Sequence, residues 1–128
     1  MILVNHMLGA LLNPMPIEII YKKISQTELK EKAKENFGDF IKGAIDIEKE
    51  VIVLGGELHF DGLEFLIENS SSGKNIWGFN IYPFLPKDKR IEFISLINIR
   101  PLDNNRSMEI QDIVLKNKIS TIINKFIE

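Results

Sequence analysis

The chain of 128 residues contains no cysteine. That absence removes disulfides, thiolate nucleophiles and cysteine-based metal sites together, and it fits a reducing compartment, so a cytoplasmic location is expected. Histidine is nearly as scarce. His6 and His59 are the only two, which rules out a multi-histidine metal cage within one chain, and no metal site is expected. An excess of basic charge is also missing: 16 Lys and Arg against 18 Asp and Glu leave a net charge of −2. This balance argues against a nucleic-acid partner and against a cationic membrane-surface helix. Long apolar runs are absent too. The stretch Met7–Leu12 falls far short of the roughly 20 residues that a membrane span needs, and Asn13–Pro14 cuts it before any secretory pattern develops. No membrane association is expected, and no residue pattern names a cofactor.

What remains is ordinary globular material. Apolar residues make up 45% and charged residues 27% of the chain, enough for one core and one domain. Met15 stands just before the first patterned segment. Residues 1–14 are therefore expected to be a tail or a mis-assigned start, and residues 15–128 a single domain.

The pattern predicts an α+β fold in the order β-α-β-β-α-β-β-α, a single sheet of about five strands with three helices mainly on one face. Ile17–Tyr21 is a short β-branched run. Ser25 with Glu28 three residues later, flanked by Ile24 and Leu29, marks a capped helix start, and the helix turns Leu29, Ala33 and Phe37 inward before Gly38. Phe40–Glu48 and Val51–His59 form strands around a tight turn at Lys49-Glu50. Asp61 as N-cap, with Glu64 and the pair Phe60 and Phe65, starts a helix over 62–69. Ile76–Tyr82 and Ile91–Arg100 make the next strand pair. The last helix runs from Glu109 to Ile127, with Ile110, Val114, Ile119, Ile122, Ile123 and Phe126 along its apolar stripe.

Alternation along the strands sorts side chains onto two sheet faces. One face is apolar, with Ile41, Ile45, Ile52, Leu54, Leu58, Trp77, Phe79, Ile81, Ile97 and Ile99 among its members. The other is mixed and carries Lys42, Val51, Val53, Glu57, His59, Asn80, Tyr82, Glu92, Ile94, Leu96, Asn98 and Arg100. A functional site is expected on the mixed face.

The strings Gly55-Gly56-Glu57-Leu58-His59-Phe60-Asp61, Trp77-Gly78-Phe79-Asn80-Ile81-Tyr82-Pro83 and Ile97-Asn98-Ile99-Arg100-Pro101, followed by Asn105-Arg106-Ser107, resemble a prokaryotic family of uncharacterised proteins classed as a domain of unknown function. The resemblance runs from about Ile17 to the C-terminus. It implies no activity.

Three groups of residues could carry chemistry. Glu57 and His59 would project together from an extended strand about 7 Å apart, as a carboxylate–imidazole pair suited to acid–base work. Against this, Lys42 would lie opposite Glu57 as a cross-strand ion pair, and Asp61 is accounted for as a cap. Arg100, Asn105 and Arg106 precede the last helix and could hold a phosphate or carboxylate. Asn80 and Asn98 are poor strand formers, placed there either for a ligand or to bond loop backbone. Gly55-Gly56 is read as a bulge, as room for Trp77, or as a place of ligand approach.

Three functions follow. The first is a binding module taking a small anionic ligand or partner chain through Asn80, Asn98, Arg100, Asn105 and Arg106. The second is a hydrolase-type enzyme, working by acid–base or metal-assisted chemistry, with His59 and Glu57 as catalytic groups and Arg100 beside them. The third is a homodimer buried through Ile94, Leu96, Val51 and Val53. The enzyme reading requires Val51–His59 and Ile91–Arg100 to be parallel neighbours, so that Glu57, His59, Asn98 and Arg100 meet at one strand end with Arg106 joining from the loop.

Overall fold

A computed structural model describes residues 15–128, so the expected tail at residues 1–14 lies outside the described residues. The fold is α+β. β1 (Ile17–Ile19), α1 (Gln26–Glu35), β2 (Ile41–Asp46), β3 (Val51–Gly55), α2 (His59–Glu68), β4 (Ile76–Ile81), β5 (Ile91–Glu92) and α3 (Ile113–Phe126) follow one another along the chain. Among the described residues the five strands form one sheet in the order β1-β3-β2-β4-β5. Every neighbouring pair is antiparallel.

The sheet is covered on both sides. Ile41, Ile45, Ile52, Leu54, Trp77, Phe79 and Ile81 pack on the first face against Leu29 and Ala33 of α1 and Ile119, Ile122 and Ile123 of α3. The second face holds a smaller core in which Leu66 of α2 meets Ala44, Val53 and Ile76. The amphipathic periods of the helices thus decide which face each one seals. Gly43 makes room on the first face: the Phe79 ring occupies the space where a Cβ would stand.

Local chemistry sets the element ends. The Ser25 hydroxyl accepts from the Glu28 amide at 3.1 Å and caps α1, which ends before Gly38 at φ 95°. Asp46 closes β2 two residues earlier than the pattern suggests. Its carboxylate accepts from the Glu48 and Lys49 amides, both at 2.9 Å, and from the Ser71 hydroxyl at 2.6 Å. This bonding favours a four-residue turn over a tight one. α3 begins at Ile113, four residues later than expected, because Asp112 caps it through the Val114 amide. Ile110 is nevertheless sealed in the core, while Val114 is 73% exposed. Buried Arg90 holds the other end of α3, donating to the Glu128 carbonyl at 2.7 Å and to Asn124 Oδ1 at 2.9 Å. A cation there also meets the negative end of the helix dipole.

Two strands depart from expectation in ways that matter for the site. β3 stops at Gly55, where φ is 113°, and Gly56 follows at 87°. A Cβ at Gly55 would run into the Pro16 carbonyl. The glycine pair therefore serves close passage of β1 and the turn into α2; it does not make room for Trp77, which pairs with Ile45 on β2. β5 has only two residues. Beyond it the Asn98 side chain takes the place of a strand against Gly78, accepting from its amide at 2.8 Å and donating to its carbonyl at 3.0 Å. A side-chain amide presents the same donor and acceptor as a peptide unit, so β4 keeps its hydrogen bonds after β5 has ended.

Candidate functional site

Lys42, Asn80 and Glu92 stand side by side across β2, β4 and β5, because the strand registers pair Lys42 with Asn80 and Asn80 with Glu92. All three fall on the second face. His59 descends onto this row from the first residue of α2. Its Nε2 lies 2.7 Å from Asn80 Oδ1 and 3.0 Å from the Phe79 carbonyl oxygen. The Asn80 amide in turn donates to Glu92 Oε1 at 2.9 Å and to the Ile94 carbonyl at 3.3 Å. The Tyr82 hydroxyl approaches the same Glu92 oxygen at 3.4 Å.

These contacts fix where the protons are. Turning the Asn80 amide over would aim its oxygen at two acceptors, the Glu92 carboxylate and the Ile94 carbonyl. The amide is therefore held with Oδ1 toward His59. Nε2 then faces two oxygens and must carry a hydrogen. Neutral His59 is thus the Nε2–H tautomer, with the lone pair on Nδ1, and Nδ1 has no hydrogen-bond partner among the described residues. Burial pushes the His59 pKa below its ordinary 6.5; the bonds to Asn80 and Phe79 oppose that shift, while Lys42 adds to it. Its place at the positive end of α2 favours the neutral form as well. Tyr82 is pushed above its ordinary value, first by burial and then by the Glu92 charge.

The array forms the polar floor of a cavity of about 370 Å³. Leu58 and Phe60 from the start of α2 form one wall, and Ile94, Leu96 and Ile97 form the other, with Phe40, Tyr82 and Met108 at the ends. Phe40 stacks on Tyr82 with centroids 5.2 Å apart and on Phe37 at 4.8 Å. Phe37 therefore extends an aromatic ladder toward this cavity instead of entering the core, and it is 37% exposed. The second wall is tied down: the Ser95 amide donates to the Met108 carbonyl at 3.1 Å, and the Ile110 amide to the Phe93 carbonyl at 3.0 Å. Size, apolar lining and a few converging polar groups are the usual traits of a small-molecule site.

The residues singled out from sequence are distributed differently. Glu57 and His59 do not project together, because the turn at Gly55-Gly56 takes both off the strand. Glu57 is exposed, and Lys42 Nζ donates at 2.7 Å to its backbone carbonyl and not to its carboxylate. Asp61 caps α2 from the third helical position, accepting from the Leu58 amide at 3.0 Å. The condition set for a shared cluster fails, since β3 and β5 are not neighbours and two strands lie between them. Asn98 bonds backbone, as described. Asn105 is also buried, donating to the carbonyls of Asn98, Ser107 and Glu109 and accepting from the Gln111 amide. Arg100 lies over the Trp77 ring at 4.0 Å and donates to the Lys74 carbonyl at 2.8 Å. Trp77 belongs to the first face, so Arg100 and His59 sit on opposite sides of the sheet. Arg106 is exposed in the loop. Among the described residues no group of three His, Asp or Glu is placed to hold a metal ion, and no helix is long and apolar enough to cross a membrane.

The sequence reading placed His59, Asn80, Tyr82 and Glu92 on one face but missed that they form one array. It also missed the walls Leu58, Phe60 and Met108. Phe40 beside Lys42, and Tyr82 two residues after Asn80, were the available signal, since alternation puts each pair on a single face.

Fold and site together define a small antiparallel α+β domain, sealed on one face and open to a polar-floored cavity on the other. The chain belongs to a family described as a protein of unknown function, DUF5674, whose profile matches residues 18–126. Comparison with curated proteins and with solved structures found no match.

Proposed function

We propose that the domain is a binding module whose site is the cavity on the second sheet face. The ligand is small and mostly apolar, and at neutral pH it offers a hydrogen-bond donor to His59 Nδ1. The observation that carries this reading is the fixed orientation of Asn80. It commits Nε2 of His59 to the protein and leaves Nδ1 of this cavity-lining ring as an acceptor with no protein partner among the described residues, so that a ligand donor can be met there. Glu92 contributes further acceptor capacity beside it. The Arg100, Asn105 and Arg106 loop lies apart from this cavity, so a ligand bound here is held by other residues.

The test is a thermal-shift and amide-NMR titration with indole and phenol as neutral donors and inorganic phosphate as the anion. Indole or phenol should perturb the amides of Leu58, His59, Asn80 and Ile94, and His59→Gln should weaken that response about tenfold, the scale of one lost hydrogen bond in an enclosed site. If only phosphate shifts the protein, and its effect requires Arg100 and Arg106, the loop is the site and the cavity reading is wrong.

A further inference from the structure

We infer that this cavity, taken as the ligand site proposed above, binds apolar monocarboxylates in a proton-coupled manner, the carboxylate entering together with one proton that His59 Nδ1 receives. Nε2 of His59 is already committed to the protein. It faces the Phe79 carbonyl and Asn80 Oδ1, both acceptors, so it carries a hydrogen whether the ring is neutral or charged. A proton that makes His59 cationic has only Nδ1 to bind. Protonation therefore turns the cavity's free acceptor into a charged donor without breaking any bond of the array.

The surrounding charges sharpen the effect. Lys42 faces the ring from β2, Glu92 from β5 through Asn80, and Tyr82 stands at the end of β4. On the His59 side, Asp61 is bound to the Leu58 amide, and Glu57 is exposed and meets Lys42 through its carbonyl. With His59 neutral, Lys42 and Glu92 offset one another; with His59 protonated, one positive charge is left over. Apolar walls strengthen that charge relative to water. They also disfavour phosphate, which would have to shed its hydration against Leu58, Phe60 and Leu96, and they favour a carboxylate attached to an apolar body. Since burial holds His59 mostly neutral near pH 7, the proton must be taken up on binding. Reciprocally, the bound carboxylate raises the affinity of His59 for that proton.

Benzoate and benzyl alcohol are the probes, a charged and an uncharged ligand of the same apolar body. Affinities are measured on the full 128-residue chain at about pH 7.5 and about pH 5.5, where a carboxylic acid is still ionised and a histidine increasingly charged. Benzoate should bind at least about tenfold tighter at the lower pH, the change in protonated fraction expected for a group with a pKa at or below the ordinary histidine value. Benzyl alcohol, whose hydroxyl can donate or accept, should change by less than about threefold on the same grounds. Calorimetry of benzoate at about pH 6.5 in two buffers of unlike ionisation enthalpy should show net uptake of at least about half a proton, because a pKa below 6.5 leaves more than half of the free rings neutral there. His59→Gln should abolish both the pH dependence and the uptake, and should weaken benzyl alcohol about tenfold at both pH values, as it does the other neutral donors. If benzyl alcohol binds but benzoate shows neither pH dependence nor proton uptake, the inference fails and the cavity reading stands. If neither probe binds at either pH, both fall.

Discussion

On the face under α1 and α3, Ile41, Ile45, Ile52, Phe79 and Ile81 are at most 1% exposed. On the face under α2, the helix covers Ala44, Val53 and Ile76 but leaves the neighbouring row of Lys42, Asn80 and Glu92 as a cavity floor. The same two central strands thus serve as core on one side and as a site on the other. The difference comes from which element follows. Two helices close the first face, α1 through Leu29 and Ala33 and the fourteen-residue α3 through Ile119, Ile122 and Ile123. On the second, a single ten-residue helix and a loop held by Asn98 and Asn105 leave a gap between them. Polar residues persist beside that gap because each is hydrogen-bonded, the condition for keeping them out of water.

The largest expected effect lies on the sealed face. Phe79→Ala removes a fully buried ring seated over Gly43, and it should cost about 3–5 kcal/mol in urea unfolding. A loss below about 1 kcal/mol would show that the first face is loosely packed. Next comes the boundary between the faces. Asn98→Ala strands the amide and carbonyl of Gly78, and a loss of about 2–3 kcal/mol is expected for two buried peptide groups without partners. Asn98→Asp should cost about as much, since a carboxylate there would face the Gly78, Phe93 and Met108 carbonyls. A near-neutral result for both would mean that Asn98 does not replace the missing strand. The smallest effect is at the start of α2. Asp61→Ala should cost about 0.5–1 kcal/mol and Asp61→Asn only a few tenths, because the amide oxygen can still accept from Leu58. Equal losses for the two would assign Asp61 a role beyond capping.

The sealed face was largely legible in sequence. Alternation of Ile41, Ile45, Trp77, Phe79 and Ile81 and the 3.6-residue stripe of Ile119, Ile122 and Ile123 identified it directly, and Ser25 marked a helix start correctly. The open face was legible only in part. Strand alternation assigned Lys42, Asn80, Tyr82 and Glu92 correctly, because they lie on true strands or directly beside them. It failed for Glu57, Asn98 and Arg100, where the period of two continues in sequence but the backbone leaves the sheet. Gly55-Gly56 carried the warning for Glu57, since two adjacent glycines permit the positive φ values that turn the chain. For Asn98 and Asn105 the informative property was side-chain mimicry of backbone. That depends on which peptide groups lack partners, and such a deficit appears only after the sheet is assembled. Strand order decided the rest. With β2 and β4 between β3 and β5, His59 meets Asn80 while Arg100 is held over Trp77.

The proposed site depends on the protonation state of one ring, and the most direct measurement is a long-range proton–nitrogen correlation spectrum of His59 followed as a function of pH. At neutral pH it should show a protonated Nε2 and an unprotonated Nδ1. As the pH falls, Nδ1 should be the nitrogen that changes, with a midpoint below the ordinary 6.5. A neutral ring protonated on Nδ1, or a rapidly exchanging mixture of tautomers, would contradict the fixed Asn80 orientation and remove the acceptor on which the proposed site depends.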